Sequence, residues 1–113
     1  MLRFEWDEHK NTKNVRKHGI SFDDAKTIFA DNNALLISDP DHSQSEDRFI
    51  LLGLSNDLRI LVVCHCYRKN EQVIRIISAR KATKKEQRIY LENLSWEKNT
   101  ILQKLKRIHM QST

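Results

Sequence analysis

The chain is poor in the residues that punctuate or staple a polypeptide: 113 residues hold one proline, two glycines and two cysteines. No internal repeat or low-complexity segment interrupts it, so a single folded unit is expected rather than an array or a linker. Cys64 and Cys66 stand two apart in an apolar run, too close along an extended chain to pair comfortably. Reduced thiols in a cytosol are the economical reading. No apolar run approaches the roughly 20 residues that a membrane span requires. The opening MLRFEWDEHK is acidic and aromatic, unlike the basic-then-apolar pattern of a signal peptide, so the protein is expected to stay in the cytoplasm, away from membranes. Metal-ligand motifs are missing as well. Cys64-His65-Cys66 invites such a reading, but strand alternation aims His65 away from both sulfurs, and no second cysteine pair completes a tetrahedral site. Neither metal nor cofactor is expected.

What is present is a moderate apolar fraction, 39%, with 31% charged residues, as in a soluble globular domain. The length suits one core and is too short for two, so residues 1–113 are read as one domain. The charge is unevenly spread. Residues 68–113 carry twelve Lys and Arg against four Glu, a surplus of +8, whereas the first 67 residues carry eight against eleven acids, −3. Such asymmetry is the footprint of a polyanion ligand, RNA above all, although lysine-rich helices can also be plain solvated faces.

Periodicity divides the chain as follows. Leu2, Phe4 and Trp6 alternate with Arg3 and Glu5, the pattern of a half-buried strand. Residues 7–18 are polar helix formers, acidic at the start and basic at the end, with Gly19 as a stop. Ser21 and Asp24 open a second, amphipathic helix to about Ala30. Leu35–Ile37 is a short apolar run, and residues 38–47 (SDPDHSQSED) form the longest loop. Phe49–Leu54, Ile60–Tyr67 and Val73–Ala79 are apolar runs with short polar connectors, which predicts an antiparallel meander. Thr83 and Glu86 form a capping box before another helix, and a helical extension begins at about residue 95. The class is α+β: an antiparallel sheet of three to four strands, with the N-terminal segment as a candidate further strand, packed with helices.

The opening FEWDEHKNTKNVRKHGISF, the loop with His42, Glu46 and Arg48, and the closing RIISARKATKKEQRIY together resemble the BrnT family of ribonuclease toxins, in order across residues 2 to about 92. The resemblance implies a RelE-like fold and membership of a type II toxin–antitoxin pair. It further implies metal-independent cleavage of RNA, with the adjacent 2′-hydroxyl as attacking group, and inhibition of translation. A BrnA-like antitoxin is the implied partner, with promoter DNA bound through the antitoxin complex. Such chemistry needs a proton acceptor, a proton donor and cations around the phosphoryl oxygens.

Candidates for each part are present. His42 and Glu46 are the acid–base candidates, though a loop histidine is often only solvated. Arg75 and Arg80 are candidate phosphate clamps within the catalytic set. Alternation puts Arg75 on one strand face with Val73 and Ile77, and Ile74, Ile76 and Ser78 on the other. A salt bridge to the acidic N-terminal half, or a solvent-facing position, would account for Arg75 equally. Arg80 stands at a strand end just before a helix N-terminus, where backbone donors already favour an anion. Lys81, Arg68, Lys10 and Lys17 are candidate RNA contacts. His18 belongs to the same N-terminal pattern and could reach the same phosphate pocket, with helix capping as its alternative. Trp6 and Trp96 could stack on bases, but core packing with Phe4 and Phe22 suits them better. The rival functions are a nucleic-acid-binding module that uses the basic half without chemistry, and an antitoxin-binding fold that has lost activity.

Overall fold

Asp7, Ser21 and Thr83 each begin a helix by offering a side-chain oxygen to backbone N–H groups that have no intrahelical partner. These local signals set the frame of the fold. The structure, a computed structural model, describes residues 2–38, 48–70 and 72–94. Its elements in order are β1 (Arg3–Glu5), α1 (Glu8–His18), α2 (Phe22–Ala25) continuing into a 3₁₀ turn (Lys26–Ala30), β2 (Leu35–Ser38), β3 (Phe49–Leu54), β4 (Ile60–Arg68), β5 (Val73–Lys81) and α3 (Lys84–Glu92). The expected second helix is thus only one α-helical turn that tightens into 3₁₀ geometry. Trp96 and the extension from residue 95 lie outside the described residues.

The sheet order is β1-β5-β4-β3-β2. The meander is antiparallel as expected, Leu35–Ser38 extends it as β2, and the N-terminal strand joins β5 in parallel. One face carries the main core: Ile20, Phe22 and Ile28 from the helical side pack on Leu51, Leu61, Val63, Ile74, Ile76 and Ala79. Trp6 meets the ring of Phe22 edge-on at 6.0 Å, which is the core role expected for it. The opposite face is covered at one end by α3, whose Tyr90 packs with Leu52, Val62 and Ala82. The Tyr90 hydroxyl also donates to Asp31 Oδ2 (2.7 Å), an oxygen that accepts the Leu54 N–H at 2.9 Å too. Gly53 lies between these contacts because a Cβ there would come within 3.1 Å of both Ala34 and Ile28.

Regular alternation fails in β5. His65 pairs with Ile76 and Cys64 with Ser78, so Ile77 is an extra residue, a β-bulge. Ser78 therefore does not share a face with Ile74 and Ile76 as strict period two would require. Downstream of the bulge Ala79 enters the core, and Ser78 and Arg80 turn to the opposite face.

The docking of α1 is unusual for a surface helix, since its one buried residue is polar. Asn14, 7% exposed, donates from Nδ2 to the carbonyls of Ile20 and Ala79 (both 2.8 Å) and accepts the Ala79 N–H at Oδ1 (3.1 Å). Pairing of β1 with β5 ends at Glu5–Arg75, so the carboxamide supplies the donor and acceptor that Ala79 lacks from a strand. Asn11 assists by accepting the Phe22 N–H (2.9 Å). Gly19, at φ +71°, ends the helix in the left-handed region and donates to Val15 O.

His65, fully buried, is ringed by Phe29, Tyr67 and Phe49 at centroid distances of 4.8, 5.2 and 6.2 Å. Its Nδ1 faces Val63 O and its Nε2 the Tyr67 hydroxyl, both at 3.3 Å. A neutral ring donating to the carbonyl and accepting from the phenol satisfies both. Burial pushes its pKa down, the carbonyl partly opposing.

Two outcomes follow from these buried polar groups. Asn14→Ala leaves two carbonyls and one N–H without partners, so calorimetry should show a loss of about 2–4 kcal/mol, a melting point lower by on the order of 10 °C. For His65, the unfolded imidazole takes up a proton near pH 6.5 before the folded one does. Its contribution is complete above that pH and is lost as pH falls through the lower folded value. Urea midpoints should accordingly drop between about pH 7 and pH 5, and a His65→Phe variant should show a flatter profile.

Candidate active site

The bulge and the Asn14 contact converge on one place. On the part of the second sheet face that α3 does not cover, a groove of about 240 Å³ has Ile50, Val62 and Ile77 as its apolar lining, with Cys64 and Ser78 beside them. His18 from the end of α1, Arg48 at the entry to β3 and Arg80 at the end of β5 line it as well. An apolar strip flanked by cations matches a nucleotide, whose base and ribose are flat or apolar and whose phosphate is not.

Arg80 is held rather than loose. Its Nη1 and Nη2 donate to Glu86 Oε1 and Oε2 at 2.8 and 2.9 Å, and Nη1 also reaches Lys81 O at 3.3 Å. Glu86 in turn closes the capping box of α3: its Oε1 accepts the Thr83 N–H (2.9 Å), and its own N–H donates to Thr83 Oγ1 (3.2 Å). The hydrogen bonds from Arg80 lower the Glu86 pKa to about 2, with the Thr83 N–H acting the same way and burial opposing. Glu86 stays ionised throughout the neutral range, and the Arg80 pKa is raised by the same bonds. The anion gathered by the arginine and the helix N-terminus is therefore an internal carboxylate.

The other sequence candidates fall in different places. Arg75 donates to Glu5 Oε2 at 2.8 Å, and Arg68 Nε lies 3.9 Å from Glu5 Oε1. The ion pair with the acidic half, weighed as the alternative for Arg75, is thus present. Strand pairing places Arg75 opposite Cys66 and Arg80 opposite Val62, on one sheet face, but only Arg80 lines the groove. Lys81 is exposed beside Arg80, and Lys10 and Lys17 are exposed on α1. The Asp7 side chain caps the N–H groups of His9 and Lys10. His42 and Glu46 lie outside the described residues. Residue patterns leave Arg48 unassigned and give His18 either the phosphate pocket or a helix cap; the structure brings it to the groove, four residues after Asn14 on one helix face. Among the described residues no group of three His, Cys, Asp or Glu is placed to hold a metal ion. No described helix is long and apolar enough to cross a membrane.

Comparison with known proteins agrees with this architecture. The fold is similar to that in the 1.1 Å crystal structure of the Brucella abortus ribonuclease toxin BrnT, with a TM-score of 0.58 and 24% identity, over 74% of this chain and 100% of that one. No curated protein sequence matches. Residues 6–86 match the family model described as the ribonuclease toxin, BrnT, of type II toxin–antitoxin systems, a span that contains His18, Arg48, Arg80 and Glu86. The chain belongs to the BrnT family of ribonuclease toxins of type II toxin–antitoxin systems.

Proposed function

We propose that this toxin is a metal-independent endoribonuclease, that it cleaves cellular RNA in the groove at the end of β5, and that it thereby inhibits translation in the cytoplasm. The observation that carries the reading is the meeting of Arg80 and Arg48 over an apolar strip. Guanidinium groups contact phosphate oxygens in pairs and remain charged at every working pH. With the 2′-hydroxyl beside the scissile phosphate as nucleophile, catalysis rests on charge stabilisation and proton transfer, which side chains can supply. Lys10, Lys17 and Lys81, all exposed, are proposed as further RNA contacts, and Arg75 and Arg68, which share Glu5, as a second cationic point. His42 and Glu46 are proposed for proton transfer on sequence grounds. A BrnA-type antitoxin is the proposed neutralising partner, and their complex would bind promoter DNA through the antitoxin.

Purified protein incubated with RNA in EDTA should cleave it. Arg80→Ala should fold, with a stability loss of about 1 kcal/mol or less for its partly exposed ion pair. Its cleavage rate should fall by on the order of 100-fold. RNA left intact, together with tight and salt-sensitive binding of duplex DNA, would replace the nuclease reading with that of a binding module.

A further inference from the structure

We infer that His18 is a catalytic residue of this groove, the group that takes the proton from the attacking 2′-hydroxyl. The inference rests on the ribonuclease reading above and assigns one of its proton transfers. Three observations bring His18 there. Asn14 fastens α1 to the backbone of Ala79, the residue before Arg80. His18 lies one turn further along the same helix face, which carries it to the groove that Arg80 also lines. Gly19 then stops the helix in the left-handed conformation, so the chain turns away directly after the imidazole.

Chemistry narrows the role. Among the described residues, the groove's other charged lining groups, Arg48 and Arg80, are guanidinium ions that hold their protons at any working pH. Glu86 is engaged by Arg80 and Thr83. Cys64 supplies a thiol and Ser78 a hydroxyl, both weaker proton acceptors than a neutral imidazole. Histidine is the side chain suited to exchanging a proton near neutral pH. His18 is also only partly buried, open to a substrate on one side.

The step balances as an internal transfer at phosphorus. Neutral His18 accepts the 2′-hydroxyl proton as that oxygen bonds to phosphorus; the bond from phosphorus to the 5′-oxygen breaks, and the departing oxygen takes a proton drawn ultimately from water. His18 then returns its proton to solvent. The products are a 2′,3′-cyclic phosphate and a 5′-hydroxyl end, while the arginines hold the non-bridging oxygens.

The test is single-turnover cleavage of an RNA oligonucleotide in EDTA by wild type and His18→Gln, with melting curves for both and affinity measured on a 2′-O-methyl oligonucleotide. Glutamine keeps hydrogen-bonding capacity and cannot transfer the proton. The expected result is a rate lower by roughly 100-fold or more at saturating RNA, with affinity within about threefold of wild type and partial rescue by free imidazole. The wild-type rate should rise with pH, as a required general base demands, and His18→Gln should lose that rise. A variant that cleaves as fast as wild type, or one whose affinity falls in step with its rate, overturns the assignment while leaving the nuclease reading in place. So does a wild-type rate independent of pH between about 5 and 8, a result that does not depend on the variant folding. RNA left intact by wild type overturns both.

Discussion

A single carboxamide does the work that a strand would otherwise do. Where β1 stops pairing with β5, Asn14 presents a donor and an acceptor to Ala79, and its second N–H secures the carbonyl of Ile20 in the turn after α1. Because α1 has no other buried side chain, this contact sets where the helix lies more than any apolar stripe does. An apolar contact could slide by a fraction of a turn at little cost. Paired hydrogen bonds to one residue's backbone cannot, since a shift would strand buried polar atoms. The end of the helix is thereby indexed to the end of β5, and with it His18 to Arg80.

The bulge at Ile77 supplies the other half of that alignment. Without it, Arg80 would continue the face of Ile74 and Ile76 and point into the main core, where an arginine could not be tolerated unpaired. One inserted residue exchanges the two faces, so that Ala79 fills the core and Arg80 leaves it. Both the core and the groove depend on the same irregularity.

Local signals were legible in the sequence and nonlocal ones were not. Asp7, Ser21, Gly19 and the Thr83–Glu86 box act within a few residues, so helix ends could be read from composition and spacing alone. The meander likewise followed from short connectors. The bulge has no such mark, because Val73 to Ala79 reads as an ordinary apolar run until its partner register is known. Nor does spacing reveal that Asn14 meets Ala79, 65 residues away, or that Glu5 gathers Arg68 and Arg75. For the site, Arg80 was visible as a charge at a strand end, whereas His18 read either as a phosphate-pocket residue or as a helix cap. Its neighbours across the groove come from three separate strands.

Glu86 gives the resting groove a built-in counterion. Nucleic acid carries a shell of condensed cations, and their release when lysine or arginine neutralises a phosphate is what makes association steeply dependent on salt. Arg80 instead carries its screen covalently attached to the same chain, on a helix turn that the carboxylate itself helps to cap. On the proposed reading, a phosphate reaching Arg80 would have to displace Glu86 or share the guanidinium with it. Such a contact would be an exchange of carboxylate for phosphate at the guanidinium, and a carboxylate pushed aside would give up its bond to the Thr83 N–H and loosen the first turn of α3.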